Sequence, residues 1–159
     1  SDNLTAELLI KTSGFEANKK EGNWKNGLEE VRKFINDSVG IDTATSSIQD
    51  GSGVSRYNYG SPSQYIDLLK WGYNNKAIRD QFINTLPNST PKGVLNKRSL
   101  PNKVYAKTGS LSGVTTFSGY IFTNSGEIVA FSILMNGFKG DSLPYKNLQD
   151  KIVSALSMI

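Results

Sequence analysis

Four consecutive residues, Lys107-Thr108-Gly109 followed by Ser110, combine a charged side chain, hydroxyl groups and bare backbone in a way that suits a carboxylate. The lysine supplies a cation, and the threonine hydroxyl supplies a directed hydrogen bond. The glycine leaves the strand bare, so that a substrate backbone can lie alongside it. A lysine before a turn is usually a solvated surface charge, so these residues alone do not establish a site.

A second polar triplet, Ser1-Asp2-Asn3, supplies a serine hydroxyl and an amide. Together with the ammonium group of Lys107, these groups form a proton relay that needs no histidine. Penicillin-binding proteins and class A β-lactamases combine the motifs S-x-x-K, S-D-N and K-T-G, of which the first supplies the nucleophile. Taken alone, the triplet is better explained as a helix cap.

The composition excludes several kinds of catalysis, because the 159 residues contain no histidine and no cysteine. Ser-His-Asp triads, Cys-His pairs and metal sites built from histidine or thiolate are all ruled out. We therefore expect a lysine to move the proton, and we expect neither a metal nor a cofactor. The net charge of +4 comes from scattered lysines, so no nucleic-acid partner is expected. No apolar stretch is long enough for a transmembrane segment.

The N-terminal two thirds of the chain are predicted to be mainly helical. Apolar spacing predicts helices over about residues 4–13, 23–39, 61–72 and 77–86. We expect Gly14 to stop the first helix, Asn23 to cap the second and Gly40 to end it. Ser61 and Gln64 form a capping box for the third. A polar connection from Pro87 to Asn102 follows, and the glycine-rich residues 50–58 predict a tightly folded loop rather than a nucleotide site.

From residue 104 onward, short β-rich runs are separated by glycine. They predict a three-stranded antiparallel meander over about 104–109, 114–123 and 127–135, covered on both faces by helices. A C-terminal helix is expected to bury the stripe Leu148, Ile152, Leu156 and Ile159. The fold class is therefore α/β (α+β). We expect residues 1–159 to form one unit, with a mainly helical part at 1–103 and the meander with its C-terminal helix at 104–159.

Three longer blocks occur in order: SDNLTAE at 1–7, DGSGVSRYN at 50–58, and AKTGSLSGV at 106–114 with SGY at 118–120. Together they resemble the penicillin-binding D-alanyl-D-alanine carboxypeptidase/endopeptidase family, serine peptidases whose catalytic domain carries large inserted domains. The resemblance implies part of a β-lactamase/transpeptidase-like fold, in which a five-stranded antiparallel sheet packs with a helical subdomain.

The resemblance assigns roles to the N-terminal triplet and to the glycine-rich loop. Ser1 resembles the serine that shuttles the proton. Asn3 resembles the amide that holds the substrate peptide and orients the lysine beside the nucleophile. Arg56 resembles an arginine near the cleft, although an arginine in such a loop is more often structural.

It also assigns roles to the strand residues. Lys107 would pair electrostatically with Ser1 and, with Thr108, would hold the terminal carboxylate of a D-alanyl-D-alanine stem peptide or of a β-lactam. Gly109 would leave room for the substrate backbone. Ser110 matches the position whose backbone N–H forms half of the oxyanion hole.

The family's nucleophile lies in an S-x-x-K motif upstream of S-D-N. The S-x-x-K string present here is Ser89-Thr90-Pro91-Lys92, which follows S-D-N and contains a proline that would disturb the required helical turn. We therefore expect no nucleophile in this chain, which resembles a C-terminal fragment beginning at the S-x-N motif and is expected to be inactive alone. The other half of the oxyanion hole, the nucleophile's own N–H, would be missing as well.

The resemblance implies an acyl-enzyme reaction on peptidoglycan, outside the cytoplasmic membrane, with a periplasmic or other extracytoplasmic location. It also implies that strand 127–135 has lost a neighbour. We expect its edge to expose unpaired backbone and apolar side chains, and to pair with the missing N-terminal part of the same protein or with a second copy.

Two other functions remain open. One is a non-catalytic module that binds cell-wall peptide or a partner through the same carboxylate-binding cleft. The other is a β-lactamase, which differs by fast deacylation, although the loop at 50–58 resembles the carboxypeptidases instead. The sequence does not decide between a preference for terminal D-alanine and a preference for cross-links.

Overall fold

A computed structural model describes residues 1–101 and 103–159, and the last residue of the predicted connection, Asn102, lies outside them. The chain forms two compact units, Ser1–Asp67 and Leu68–Ile159. None of the helices in the described residues is long and apolar enough to cross a membrane. The single folding unit expected from the sequence stays a prediction.

The first unit begins with two helices, α1 (Asn3–Asn18) and α2 (Trp24–Phe34). The prediction that Gly14 stops α1 was wrong, because the helix continues for another turn and Gly14 is buried within it. A Cβ atom at Gly14 would lie 2.7 Å from the backbone nitrogen of Gly27, so the two helices approach as closely as their backbones allow. The leucines at 4, 8 and 9 are exposed rather than packed.

The predicted ends of α2 are confirmed. The side chain of Asn23 accepts from the backbone N–H of Asn26, whose own side chain accepts from Asn23 in return. The helix passes into a wider π-helical turn, Ile35–Val39, and ends at Gly40 with φ of 81°. A left-handed φ of this kind is best tolerated by glycine.

The next helix, α3 (Pro62–Asn74), starts where its capping box predicts. Gln64 Oε1 accepts from the backbone of Ser61 at 2.8 Å, and Ser61 Oγ accepts from the backbone of Gln64. The boundary between the two units falls within this helix. The second unit continues with the short helix α4 (Arg79–Asn84).

The second unit contains the predicted meander as β1 (Val104–Leu111), β2 (Val114–Phe122) and β3 (Ile128–Asn136), in the order β1-β2-β3. Both pairs are antiparallel, with Lys107 opposite Ser118 and Ser118 opposite Ser132. A C-terminal helix, α5 (Leu143–Leu156), follows. The mixed helix and sheet class, with three antiparallel strands, is therefore confirmed.

Alternate residues of the three strands form the core of the second unit. One face packs against Val153 of α5 and contributes the buried side chains Val104, Ala106, Phe117, Ile121 and Phe131. On the other face, the hydroxyl of Tyr120 donates to the carbonyl of Leu69 in α3. Burial raises the pKa of Tyr120 to about 12, so the phenol keeps its proton at neutral pH.

The C-terminal helix is confirmed, but of the predicted stripe only Leu156 packs against the core, and Ile159 is exposed. Leu148 and Ile152 are exposed, whereas Gln149, Asp150 and Val153 are buried. The reason is Arg98 in the preceding connection. Its guanidinium pairs with Asp150 at 2.6 Å, donates to Gln149 Oε1 and the carbonyl of Lys146, and stacks over Phe117 at 4.1 Å. These contacts lie on the buried side of α5, with Gln149 and Asp150.

We predict that Arg98→Ala lowers the free energy of unfolding by about 2–4 kcal/mol, because Asp150 would be left as a largely buried, unpaired charge. The change is measured by urea unfolding of the encoded protein, by which we mean the product of the complete gene. Lys19→Ala, which removes the exposed ion pair with Glu16, is the control and should cost less than about 1 kcal/mol. Equal small losses in both variants would show that Arg98 does not anchor α5.

Candidate functional site

The three residues of the N-terminal triplet Ser1-Asp2-Asn3 have different environments. Asp2 is the N-cap of α1, and its carboxylate accepts from the backbone of Leu4 at 3.0 Å and from the hydroxyl of Thr5 at 2.6 Å. The hydrogen bond from Thr5 holds the pKa of Asp2 below its usual value. Asp2, the middle residue of the triplet, is therefore the one that caps the helix. Ser1 and Asn3 lie exposed on either side of it.

The glycine-rich loop at 50–58 is folded around one carboxylate. Asp50 accepts from the backbone of Gly53 at 2.8 Å, from the backbone of Ser55 at 2.6 Å and from the side chain of Asn58 at 2.7 Å. The tightly folded loop is thus confirmed. Arg56 lies on its exposed side.

Glu7 joins this loop to α1, one helical turn after Asn3. Its Oε2 atom accepts from the indole of Trp24 at 2.8 Å and from the backbone of Gly51 at 3.1 Å, while Oε1 accepts from the backbone of Ser52 at 3.0 Å. Hydrogen bonds to this carboxylate, above all one from the side chain of Ser52, hold the pKa of Glu7 at about 2. The carboxylate is therefore charged at any pH above mild acid.

In the second unit, the strand residues of the candidate site lie on β1. Lys107 is exposed, and its ammonium group donates to the carbonyl of Thr108 at 2.6 Å. Lys107 and Ser118 occupy opposite positions on β1 and β2, on the sheet face away from the core, and Ser118 Oγ lies 2.9 Å from Ser132 Oγ. A polar row therefore crosses the sheet beside the lysine.

The outer edge of β1 is covered over only half its length. Ser89 donates its backbone N–H to Val104, and Ala106 donates its own to Pro87. Because antiparallel strands direct alternate residues to opposite edges, the N–H and C=O groups of Thr108 and Ser110 point the same way as those of Ala106. In the described part of the second unit, no strand pairs with that half of the edge.

This open half-edge has the geometry of a peptide-binding strand. An extended ligand can add to it through the N–H and C=O groups of Thr108 and Ser110, with the charge of Lys107 nearby. A side chain at Gly109 would collide with Thr116 on β2, since a Cβ atom there would lie 2.5 Å from Thr116 Oγ1. The structure thus brings Lys107, Thr108, Gly109 and Ser110 together on one strand, and Ser1 and Asn3 together at one helix end. That these two groups converge on one groove stays a prediction.

Ser89 has a structural place rather than a catalytic one. It is buried, its hydroxyl donates to the carbonyl of Pro101, and the same oxygen accepts from the backbone of Val104 at 3.1 Å. Lys92 is exposed, and the residues between them do not form a helical turn. A serine used in this way is not an activated nucleophile.

The sequence alone did not reveal the contacts of Glu7 with the loop, or that the indole of Trp24 donates to the same carboxylate. A glutamate near the start of a helix is usually a solvated charge, and a tryptophan at a helix start is usually core. The one available signal was that Glu7 closes the first block of the family resemblance. In the described residues, no cluster of three acidic side chains could hold a metal ion.

The sequence of this chain is similar to those of known proteins. A profile of the D-Ala-D-Ala carboxypeptidase 3 (S13) family matches residues 1–158. The D-alanyl-D-alanine carboxypeptidase of Actinomadura sp. (strain R39) is 33% identical over 157 residues, which cover 88% of this chain and 27% of the relative. The corresponding enzyme DacB of Haemophilus influenzae is 30% identical over 159 residues, covering 96% of this chain and 33% of the relative.

Solved structures agree with this. Penicillin binding protein 4 (dacB) from Haemophilus influenzae superimposes with a TM-score of 0.88 at 27% identity, over 99% of this chain and 37% of that chain. The same protein has been solved in complex with a β-lactam. The TLA-3 extended-spectrum β-lactamase superimposes with a TM-score of 0.72 at 21% identity, over 98% of this chain and 58% of that one, which shows a shared fold. The chain spans about a third of the length of the curated relatives it matches.

We predict an acid-dependent contribution of Glu7 to stability. Because folding lowers its pKa from 4.5 to about 2, its stabilising effect is complete above pH 4.5 and disappears as the pH falls towards 2. The difference in melting temperature between the encoded protein and its Glu7→Gln variant should therefore shrink over this range. Glu16→Gln, on the exposed end of the same helix, is the control. A difference that stays constant down to pH 2 would contradict the low pKa.

Proposed function

This chain belongs to the D-Ala-D-Ala carboxypeptidase 3 (S13) family, and from that premise we propose that it forms part of a serine-type D-Ala-D-Ala carboxypeptidase/endopeptidase acting on peptidoglycan stem peptides. The observation that carries the proposal is the open half-edge of β1, where backbone groups of Thr108 and Ser110 face outward beside the ammonium group of Lys107. A peptide that ends in a carboxylate matches both the hydrogen-bonding edge and the charge.

The proposed reaction proceeds through an acyl-enzyme. A serine oxygen attacks the carbonyl carbon of the penultimate D-alanine, the C–N bond breaks, and the terminal D-alanine leaves with a proton on its nitrogen. Water then hydrolyses the ester and restores the serine. In this scheme Ser1 passes the proton to the leaving nitrogen, and Asn3 holds the substrate amide.

The strand residues bind the end of the substrate that carries the terminal carboxylate and leaves in the reaction, and they stabilise charge. Lys107 and the Thr108 hydroxyl hold the terminal carboxylate. The backbone N–H of Ser110 receives the oxyanion that develops in the transition state. Its outward direction supports this role, because the N–H is not consumed by pairing with β2.

The nucleophile is proposed to come from sequence other than these 159 residues. Ser89, in the S-x-x-K string present here, has its hydroxyl committed to Pro101 and Val104. The chain by itself is accordingly proposed to be inactive, while the protein that contains it acts on peptidoglycan. Since that substrate lies outside the cytoplasmic membrane, the proposed location is periplasmic or otherwise extracytoplasmic.

A second candidate is a non-catalytic module that binds cell-wall peptide. The observation in its favour is that the open half-edge and Lys107 can bind a carboxylate without any nucleophile. Such a module would bind D-alanyl-D-alanine peptides reversibly. It would not form a covalent adduct with penicillin.

We predict that the encoded protein is labelled covalently by fluorescent penicillin and that Lys107→Ala slows this labelling by about a hundredfold, because a preorganised charge is lost. Gel fluorescence against time gives the acylation rate. Lys103→Ala is the matched control, since Lys103 is an exposed lysine immediately before β1, and it should label at the parent rate.

Ser89→Ala provides a second check on the assignment. It should lower stability by about 1–3 kcal/mol through the lost buried hydrogen bonds, and the folded variant should still be labelled. Absence of labelling in the parent protein would support the non-catalytic module. Loss of labelling in folded Ser89→Ala would identify Ser89 as the nucleophile and overturn the account.

The open edge of β3 is the proposed contact with further chain. In the described residues of the second unit, β3 pairs with β2 alone, while its side chains are mostly half-buried rather than fully exposed. Leu148, Ile152 and Ile159 of the C-terminal segment are exposed apolar residues of the same unit. We propose that this edge pairs with an N-terminal part of the same protein or with a second copy.

The 159-residue chain expressed alone should therefore self-associate or aggregate in sedimentation velocity experiments. A lysine introduced by Val129→Lys or Ile133→Lys would disturb the core, so Ser132→Pro, which blocks strand addition at the edge, is the better variant. It should reduce association. A monodisperse, well-folded monomer of the unmodified chain would contradict the proposal.

A further inference from the structure

Glu7 occupies the point where two parts of the candidate site meet within the first unit. It lies one turn along α1 from Asn3, and both of its oxygens accept from the backbone of the loop at 50–58. Two backbone N–H groups directed at one carboxylate fix the loop's position as well as its distance from the helix. The loop carries Arg56 only a few residues further on.

The close approach of the loop to α1 is an independent observation. A Cβ atom at Gly51 would lie 2.7 Å from the carbonyl of Ala6, so backbone packs directly on backbone at this point. Asp50 then makes the remainder of the loop rigid through its bonds to Gly53, Ser55 and Asn58. Because these bonds tie the loop together, we expect a displacement at Gly51 to move the loop as a unit.

We propose that Glu7 is a positioning residue for acylation: it holds the loop that carries Arg56 in register with the end of α1 that carries Ser1 and Asn3. This inference rests on the proposed function, because the groups that it positions are those assigned to substrate and proton transfer. Glu7 itself touches no reacting atom in this scheme. Its effect passes through Gly51 and Ser52.

Replacing the carboxylate of Glu7 by an amide changes its hydrogen bonds without changing its size. Oε2 accepts from Trp24 and Gly51, and Oε1 accepts from Ser52. In Glu7→Gln one of these oxygens becomes an NH₂ group. Whichever way the amide is oriented, one loop N–H then faces another donor, so at least one loop bond is lost. The side chain keeps its size and shape.

Trp24→Phe is the matched control. It removes the indole bond to Glu7 but leaves both bonds between Glu7 and the loop. If Glu7 contributed only to stability, both variants would lose melting temperature and labelling together. If Glu7 positions the loop, the two effects separate, because only Glu7→Gln disturbs the loop.

The experiment measures the acylation rate by fluorescent penicillin in the encoded protein, well below the melting temperature of each variant. We expect Glu7→Gln to acylate at least about tenfold more slowly, since small displacements of positioned groups cost that much or more. Trp24→Phe should acylate at nearly the parent rate, even if its melting temperature falls. A Glu7→Gln rate within twofold of the parent would overturn the inference, as would an equal loss in Trp24→Phe.

Gly51→Ala tests the same contact if Glu7→Gln does not fold. The added methyl group would push the loop away from Ala6 while leaving the carboxylate in place, and we expect a similar loss of acylation rate. A normal rate in folded Gly51→Ala would overturn the inference. Labelling of the unmodified protein distinguishes failure of this inference from failure of the proposed function. If the unmodified protein labels normally, the proposed function stands. If it never labels, the proposed function fails.

Discussion

The direction of the backbone groups on β1 is the constraint on which the site depends. Its first half is closed by the segment at 87–89, and the alternation of an antiparallel strand then fixes where every later N–H and C=O points. Thr108 and Ser110 must face the open edge because Ala106 faces Pro87. An open edge of this kind binds water, another strand or an extended ligand. The adjacent lysine favours a ligand that carries a carboxylate, and Gly109 adds no side chain beside it.

The first unit holds short exposed segments in place without a large core. It does so with carboxylates that accept from several donors at once. Asp2 caps α1, Asp50 organises its loop, and Glu7 joins the loop to the helix. Each carboxylate accepts from backbone N–H groups, a strong form of hydrogen bond. The close crossing of α1 and α2 at Gly14 and Gly27 supplies the remaining rigidity.

Local signals in the sequence predicted the strands, both hairpins, the capping box of α3 and the cap of α2, because turn and cap chemistry is decided by neighbouring residues. The wrong predictions concern residues whose environment is set by contacts with residues far away in the sequence. Gly14 resembles a helix stop unless α2 lies against it, and the stripe through Leu148 and Ile152 resembles a packing face unless Arg98 binds Asp150. Glu7 resembles a surface charge until the loop at Gly51 folds onto α1. The role proposed for the strand residues rests on K-T-G and S-D-N occurring within longer blocks that resemble the family.

The most direct test is a crystal structure of the encoded protein acylated by penicillin. The account predicts that the ligand's carboxylate lies within hydrogen-bonding distance of Lys107 and the Thr108 hydroxyl, that its acyl oxygen accepts from the Ser110 N–H, and that Ser1 and Asn3 line the same cleft. A ligand bound elsewhere, with the outer edge of β1 closed by other chain, would contradict it.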